Sequence, residues 1–275
     1  MKRRSRFLAL TCAAVMMAFV LAGCSKPAAE DPVDTNPPEG NKETTYVIAS
    51  DNSFPPFEYQ DTTTNQFVGI DMDILAAIAE DQGFEYTVNN VGFDAAMGAV
   101  QSGQADGMIA GMSITEDREE TFDFSDGYYE NGQIMVVASA SDIATLEDLN
   151  GKVVATKKNT MGTVFAEANA DKYGYSTVSY DDSPAMYQAI LNGNAVACFE
   201  DEAVVLYAIK TQNLELKTIG DVVGTQPYAF AVKKGDNAEL LEKFNAGLKS
   251  IKENGKYDEI MDKYDKLLNK NGAGE

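Results

Sequence analysis

From about residue 45 onwards, apolar and polar positions follow two alternating patterns along the chain. Short runs rich in β-branched and aromatic residues are followed by longer runs with apolar residues three and four positions apart, which predicts strands alternating with helices. Several helical runs end at a glycine and one opens with Pro184, as is typical of helix ends. We expect Asp71 to cap the first helix. The predicted strands are 46–49, 84–88, 107–110, 152–156, 177–180 and 195–199, and the predicted helices are 72–82, 93–102, 161–173, 184–192 and 202–212.

The order of elements occurs twice. The segments "AVQSGQADGMIAG" at 99–111 and "AILNGNAVACFED" at 189–201 both contain a helix end, a glycine and a strand. Two similar α/β lobes of mainly parallel sheet and covering helices are therefore predicted. The predicted boundaries are 45–131 and 226–275 for the first lobe and 132–225 for the second. A chain that crosses twice between lobes has a two-strand hinge beside a cleft, and small ligands bind in such clefts.

The first 44 residues differ in composition from the rest. Four basic residues at the start, an apolar run at 7–22 and the "LAGC" ending at Cys24 have the layout of a secretory signal. "LAGC" resembles the lipobox of bacterial lipoproteins, which implies a signal peptide at 1–23 and a lipid on Cys24. An ordinary signal peptide with an incidental cysteine is the alternative. Residues 24–44 are rich in Pro, Ala and acids, and they predict a disordered spacer between lipid and body.

Charge and composition exclude some classes of function. The net charge of the chain is -21, and removal of a signal with four basic residues and no acids makes it more negative still, so nucleic acid is not an expected partner. The chain contains no histidine, which removes the side chain best suited to proton transfer near neutral pH. Of the three cysteines, Cys198 alone would remain free after export and lipidation, so no internal disulfide is expected.

The loop after the first strand, "ASDNSFPPFEY" at 49–59, is unusually aromatic. Loops are normally polar and lie at the surface, so this loop either folds back into the core or holds a ligand. Phe57 is the better core candidate, and Tyr59 is undecided.

Several motifs in a fixed order resemble the family 3 solute-binding proteins, the extracellular receptors of polar amino-acid importers of the ATP-binding-cassette type. The resemblance extends from Tyr46 to Leu268. It implies a two-lobed periplasmic-binding-protein type II fold that closes on an amino acid. The motifs are "FPPFEY" at 54–59, "GIDMDILAAIAE" at 69–80, "SITEDR" at 113–118, "DFSDGYY" at 123–129, "LEDLNGKVVA" at 146–155 and "NGKYDEIMDKY" at 254–264.

The resemblance assigns the backbone groups of the ligand to named residues. Arg118 matches the residue whose planar fork binds the α-carboxylate, with Gly111 and Ser113 in the run before it; pairing of Arg118 with its acidic neighbours is the alternative. Thr160 matches a further carboxylate donor, or is an ordinary helix cap. Asp201 matches the acceptor of the α-ammonium, although it could also cap the helix at 202–212, and Glu200 is the fallback.

The resemblance also indicates how the ligand side chain is held. Phe54 matches the aromatic residue on which that side chain rests. Asp51 and Lys157 resemble the pair that glutamine receptors place around the side-chain amide, because Asp51 can only accept and Lys157 can only donate hydrogen bonds. Glutamine is therefore the expected ligand. A direct ion pair between Asp51 and Lys157, or two unrelated exposed charges, is the alternative.

The expected function is a monomeric receptor without cofactor, metal or catalysis, anchored by lipid at the extracellular face of the cell membrane. It would deliver its ligand to the permease of an importer, and the lobes would close with crossings near 129–132 and 225–228. An enzyme of the cyclohexadienyl dehydratase type on the same fold, and the sensory lobe of a larger receptor, are the alternatives from other classes.

Overall fold

The computed structural model of the protein describes residues 45–269, with side chains to residue 266. The expected signal peptide, Cys24 and the spacer lie outside the described residues. The strands are β1 Thr45–Ser50, β2 Ser53–Phe54, β3 Glu58–Gln60, β4 Phe67–Val68, β5 Glu85–Asn90, β6 Gly107–Met108, β7 Phe122–Phe124, β8 Tyr129–Ala138, β9 Val153–Lys157, β10 Ser176–Tyr180, β11 Ala197–Asp201, β12 Leu216–Tyr228 and β13 Ala231–Lys233. The α-helices are α1 Ile70–Gln82, α2 Phe93–Gln101, α3 Glu116–Glu119, α4 Met161–Tyr173, α5 Ser183–Leu191, α6 Glu202–Gln212, α7 Ala238–Glu253 and α8 Lys256–Asn269.

Ten of the strands form two five-stranded sheets of the same design, and β2, β3 and β4 form a small three-stranded sheet beside α1. The first has the order β5-β1-β6-β13-β7 and the second the order β10-β9-β11-β8-β12. In each sheet the three strands joined by helices are parallel. The fourth strand in the sheet order, β13 or β8, runs antiparallel to them, and the edge strand, β7 or β12, pairs antiparallel with that fourth strand. Both sheets are therefore mixed. We call each sheet with its covering helices a lobe.

The core of the first lobe explains why the C-terminal helices return to it. Helix α1 packs against α7 and α8. Ile74 and Ile78 of α1 are fully buried in the same apolar cluster as Phe244 and Leu248 of α7. Burial of large aliphatic and aromatic side chains stabilises such contacts by about 1.5 to 3 kcal/mol each. Helices α7 and α8 therefore share a core with α1.

Two long strands carry the chain between the lobes. β8 leaves the first lobe and β12 returns to it, and they pair antiparallel from Leu216 opposite Ala138 to Tyr228 opposite Tyr129. The pairing register shifts between Ile219 and Gln226, as happens where a strand bends. The predicted lobe boundaries fall inside these two strands, and the boundaries themselves stay a prediction.

The helix prediction was wrong about Asp71. Gly69, not Asp71, precedes α1, with φ of 143°, and a Cβ at Gly69 would lie 1.9 Å from the carbonyl oxygen of Phe57. The close approach of these two backbone segments starts the helix at Ile70. Asp71 is consequently inside the helix and points into the protein, where it is fully buried.

Two searches of the described part of the chain gave negative results. Between residues 45 and 269, no helix is both long enough and apolar enough to cross a membrane. Over the same range, no group of three or more His, Cys, Asp and Glu side chains is arranged to hold a metal ion.

Candidate functional site

Three of the eight predicted ligand-binding residues lie where strands end at the facing edges of the two sheets. Asp51 directly follows β1 of the first lobe, while Lys157 and Asp201 are the last residues of β9 and β11 in the second. Ligands of α/β proteins bind at the carboxyl ends of parallel strands. The fold therefore gathers these side chains from both lobes.

Asp51 and Lys157 form a direct ion pair across the cleft. The Nζ of Lys157 lies 2.5 Å from the Oδ2 of Asp51, and both side chains are almost completely buried. The other oxygen of Asp51 accepts hydrogen bonds from the backbone N–H of Asn52 and Ser53. Burial opposes the charge of Lys157, but the carboxylates of Asp51 and Glu200 outweigh that effect and raise the pKa of Lys157. The ammonium therefore stays charged inside the protein.

Two phenylalanine rings line this part of the site. The Nζ of Lys157 lies 4.4 Å from the ring centre of Phe54 and 5.7 Å from that of Phe93, and the Cζ of Arg118 lies 5.4 Å from the Phe93 ring. Cations within about 6 Å of an aromatic face are attracted to it. The sequence analysis missed Phe93, because an apolar first residue of a helix is typical of the core. The available signal was its position three residues after the end of β5.

Phe57 and Phe54 of the aromatic loop at 49–59 have different surroundings. Phe57 is fully buried and packs edge-on against Tyr129 and Tyr228, so it is a core residue. Phe54 is held beside Gly111, whose φ is +53° and where an added Cβ would lie 2.7 Å from the Phe54 ring. Only glycine tolerates both that conformation and that contact.

Arg118 does not pair with its acidic neighbours. Its Nη1 donates to the carbonyl oxygen of Ser113 at 2.7 Å, and its Nη2 donates across the cleft to the carbonyl oxygen of Asn159 at 2.8 Å. Burial lowers the pKa of Arg118 to about 10, and the charge of Asp201 opposes that shift. The guanidinium is therefore charged near neutral pH and electrostatically linked to Asp201.

Asp201 does not act as a helix cap, although it directly precedes α6. Its Oδ1 accepts hydrogen bonds from the side-chain amides of Asn131, at 2.5 Å, and Gln133, both on β8. Burial, together with the charge of the neighbouring Glu200, raises the pKa of Asp201 to about 7. Glu200 accepts from the hydroxyl of Tyr187, and burial raises its pKa as well. Asp201 is thus an acidic group whose charge changes near neutral pH.

Thr160 caps helix α4. Its Oγ1 accepts from the N–H of Thr163 and donates to the carbonyl oxygen of Lys157. Its neighbour Asn159 has a left-handed backbone, with φ of 58°. The side chain of Asn159 donates to Asp94 at the start of α2, so this second-lobe loop contacts the first lobe twice.

The lobes also meet away from the ion pair. The hydroxyls of Tyr59 and Tyr207 lie 3.0 Å apart, the first in the small sheet of the first lobe and the second in α6. At the edge of the cleft, a cavity of about 530 Å³ is lined by residues of both lobes, among them Thr115, Arg118, Thr160 and Met161. The cleft is therefore bridged by several polar contacts, which is the expected geometry of a closed form.

Two mixed sheets, two connecting strands and charged groups gathered between the lobes define a two-lobed solute-binding protein. Residues 46–266 match the bacterial extracellular solute-binding proteins, family 3, and the chain belongs to that family.

Relatives with different ligand names resemble this chain to a similar degree. A probable histidine-binding protein of Neisseria gonorrhoeae is 29% identical over 243 residues, which cover 84% of this chain and 87% of the relative. The glutamine-binding protein GlnH of an ABC transporter in Bacillus subtilis is 32% identical over 213 residues, covering 76% of each chain. Overall similarity therefore does not distinguish between these two ligands.

Two solved structures allow a comparison of conformation. The open form of substrate-binding domain 2 of Lactococcus lactis GlnP is 45% identical, with a TM-score of 0.58, and the match covers 82% of this chain and 96% of that one. An ancestral arginine-binding protein bound to glutamine is 37% identical, with a TM-score of 0.75, and the match covers 80% and 96%. The shape is closer to the ligand-bound structure despite the lower identity, in agreement with the polar contacts that bridge the cleft.

Proposed function

We propose that this protein is a lipid-anchored receptor that captures glutamine outside the cell membrane and delivers it to an ABC importer. The observation that carries the proposal is the buried ion pair of Asp51 and Lys157 beside Phe54. In this proposal the protein acts as a monomer, binds and releases its ligand unchanged, and uses no cofactor.

The backbone groups of the amino acid are bound by opposite charges from the two lobes. Arg118 has a planar guanidinium suited to a carboxylate, and Asp201 supplies a carboxylate for the α-ammonium. Ser113 lies at the Arg118 guanidinium, and Thr160 sits in the loop that Arg118 reaches across the cleft. A zwitterion contacts both charges only when the lobes are closed, so its binding energy favours closure.

The ion pair favours a neutral polar side chain. Asp51 and Lys157 together carry no net charge, and a primary amide offers Asp51 a donor and Lys157 an acceptor. The ammonium or guanidinium of lysine or arginine would meet the buried charge of Lys157. The carboxylate of glutamate would meet Asp51, with Glu200 close by. A like charge in a closed site discriminates strongly against the wrong ligand.

The direct contact between Asp51 and Lys157 is the alternative that the sequence analysis left open, and the proposal includes it. A lysine ammonium has three donors and a carboxylate has several acceptor positions, so the pair can remain joined while each member also bonds the amide. The paired charges also hold the facing edges of the two lobes together around the ligand. Asparagine carries the same amide one methylene closer to the backbone and should bind more weakly.

A calorimetric titration of the purified protein with the twenty amino acids tests the proposal, after endogenous ligand has been removed by unfolding and refolding. We expect glutamine to bind most tightly, asparagine more weakly, and glutamate, arginine and histidine least. Absence of heat with glutamine, or tighter binding of arginine or histidine, would overturn the glutamine assignment. Absence of heat with all twenty would overturn the amino-acid receptor itself.

A further inference from the structure

Two carboxyl groups meet in the interior of the first lobe, behind the ligand loop. Glu58 of β3 and Asp71 of α1 both have no solvent-exposed surface. The backbone holds their segments together: the N–H of Asp71 donates to the carbonyl oxygen of Phe57, the residue before Glu58, at 3.0 Å. The two carboxyls therefore lie beside each other, and burial and the charge of Asp71 raise the pKa of Glu58. Neither group is needed for the ligand contacts described above.

The hydrogen bonds around the pair are unevenly distributed. The Oδ2 of Asp71 accepts from the N–H of Gly111 at 2.9 Å and from the hydroxyl of Tyr128 at 2.8 Å. Within the described residues, no N–H or O–H donates to the Oδ1 of Asp71 or to either oxygen of Glu58. Buried polar atoms normally have partners, so three adjacent oxygens without a donor require an explanation.

A proton between the two groups supplies that explanation. Two carboxylates in contact inside a protein cannot both be ionised, because neither water nor a counter-charge offsets their repulsion. The other charged groups that face the pair are Asp51 and Lys157, whose charges offset each other in their own ion pair. Asp71 is the better anion, since it accepts two hydrogen bonds and Glu58 accepts none.

We propose that Glu58 is a neutral carboxylic acid in the folded protein and donates its proton to the Oδ1 of Asp71. The acid and the carboxylate then form one hydrogen-bonded unit that connects β3, α1, Gly111 and Tyr128. Burial and the nearby charge of Asp71 raise the pKa of Glu58 well above its ordinary value, in agreement with this assignment.

The hydrogen-bonded unit of Glu58 and Asp71 contacts residues that shape the ligand site. Asp71 orients the backbone of Gly111, which packs against Phe54, and it orients Tyr128, which directly precedes β8 at the chain crossing. Glu58 and Asp71 are therefore positioning residues: they hold the aromatic loop and the first crossing in register without touching the ligand. Loss of the proton would leave two repelling carboxylates behind that loop.

Infrared spectroscopy tests the position of the proton without any ligand. We expect the wild-type protein at about pH 8 to show a protonated-carboxyl stretching band that disappears in Glu58→Gln. Glu200→Gln is the matched control, because Glu200 is a second buried carboxyl with a raised pKa, and the Glu58 band should remain in that variant. If the spectrum of Glu58→Gln retains every protonated-carboxyl band of the wild-type spectrum, the proposal is overturned.

Ligand affinity tests the positioning role, with whichever amino acid the wild-type protein binds. Glu58→Gln should bind within about twofold of wild type, because its amide N–H replaces the shared proton as a donor to Asp71. Glu58→Ala removes that donor and should lower affinity at least about tenfold, while Glu85→Ala, at an exposed position on β5, should have no effect. Equal affinity of Glu58→Ala and wild type would overturn the positioning role. If Glu58→Ala does not fold because the pair is essential for folding, Glu58→Gln provides the test. An affinity of Glu58→Gln about tenfold below that of wild type would overturn the positioning role.

Discussion

Asp51 and Lys157 come from different lobes and different sheets, yet their charged atoms lie 2.5 Å apart in a place that water does not reach. A buried ion pair is weak evidence for stability, because desolvation cancels much of the attraction. Its value here is geometric: the pair exists only when the lobes are closed, and it joins their rims at the ring of Phe54. In the proposed function, the pair couples closure to the chemistry of the ligand side chain.

Removing the ammonium of Lys157 should weaken the binding of glutamine. Lys157→Met retains the apolar stem but leaves Asp51 buried without its partner, which typically costs about 2 to 5 kcal/mol. We expect the affinity for glutamine to fall about 30-fold or more. Lys158→Met is the matched control, since Lys158 is the next residue but is half exposed and pairs with the exposed Asp181. Titration calorimetry of both variants decides the matter, and equal affinities would contradict this role of Lys157.

Binding should weaken in acid because of Asp201. Its carboxylate must be charged to accept the α-ammonium, and its pKa without ligand is about 7. Lowering the pH from about 8 to about 5 leaves roughly one molecule in a hundred with the charged form, so the apparent affinity should fall about 100-fold. Asp201→Asn should bind poorly at both pH values and show little change between them. A wild-type affinity that is constant across this range would contradict the assignment of Asp201.

The stability of the ligand-free protein should change in the opposite sense to its affinity. Asp71 and Asp201 have pKa values raised by burial, to about 6 and about 7. The folded state therefore binds their protons more tightly than the unfolded state, and the resulting stability is present in acid and lost as the pH rises through these values. The chain has no histidine that would obscure this window.

The expected size of this change in stability can be taken from the raised pKa of Asp71 alone. A rise from 3.8 to about 6 corresponds to a contribution on the order of 3 kcal/mol. The unfolded carboxyl is already ionised at about pH 5, so only the part of this contribution between about pH 5 and about pH 6, roughly 1.4 kcal/mol, is lost between the two conditions compared. Tm of the ligand-free protein should therefore be higher at about pH 5 than at about pH 8 by roughly 3 to 6 °C. Differential scanning calorimetry at the two pH values measures it. A Tm that rises with pH would contradict the raised pKa values, and Asp201→Asn should show a smaller difference than wild type.

The proposed membrane anchor depends on Cys24, which lies outside the described residues. If the cysteine carries two acyl chains, it holds the protein on the membrane, whereas a protein without them is released. We expect wild type in the membrane fraction and Cys24→Ala in the soluble fraction after cell fractionation. Cys198→Ala is a suitable control, because that cysteine is buried in the second lobe. Retention of Cys24→Ala with the membrane as firmly as wild type would contradict the anchor.

The sequence predicts the helices and strands of this protein better than the contacts between them. Helices 161–173 and 202–212 were predicted at their observed bounds, because a glycine or asparagine in the left-handed region ends each of them. Asp71 could not be understood in the same way. A polar residue near a helix start favours a cap by local rules, and only the tertiary approach of Gly69 to Phe57 turns it inward.

The same limit applies to the site. The family motifs indicated Arg118 and Asp201, but the partners that orient them come from distant segments: Asn159 contacts Arg118 from the facing lobe, and Asn131 with Gln133 holds Asp201 from the crossing strand. Such contacts depend on strand register and lobe closure, which local patterns do not encode.

The most direct test of the central claim is a crystal structure of the protein grown with glutamine. We expect one glutamine between the lobes, with its α-carboxylate at Arg118, its α-ammonium at Asp201 and its side-chain amide within hydrogen-bonding distance of both Asp51 and Lys157. A glutamine bound in the reverse orientation, or crystals whose cleft contains a cationic amino acid instead, would contradict it.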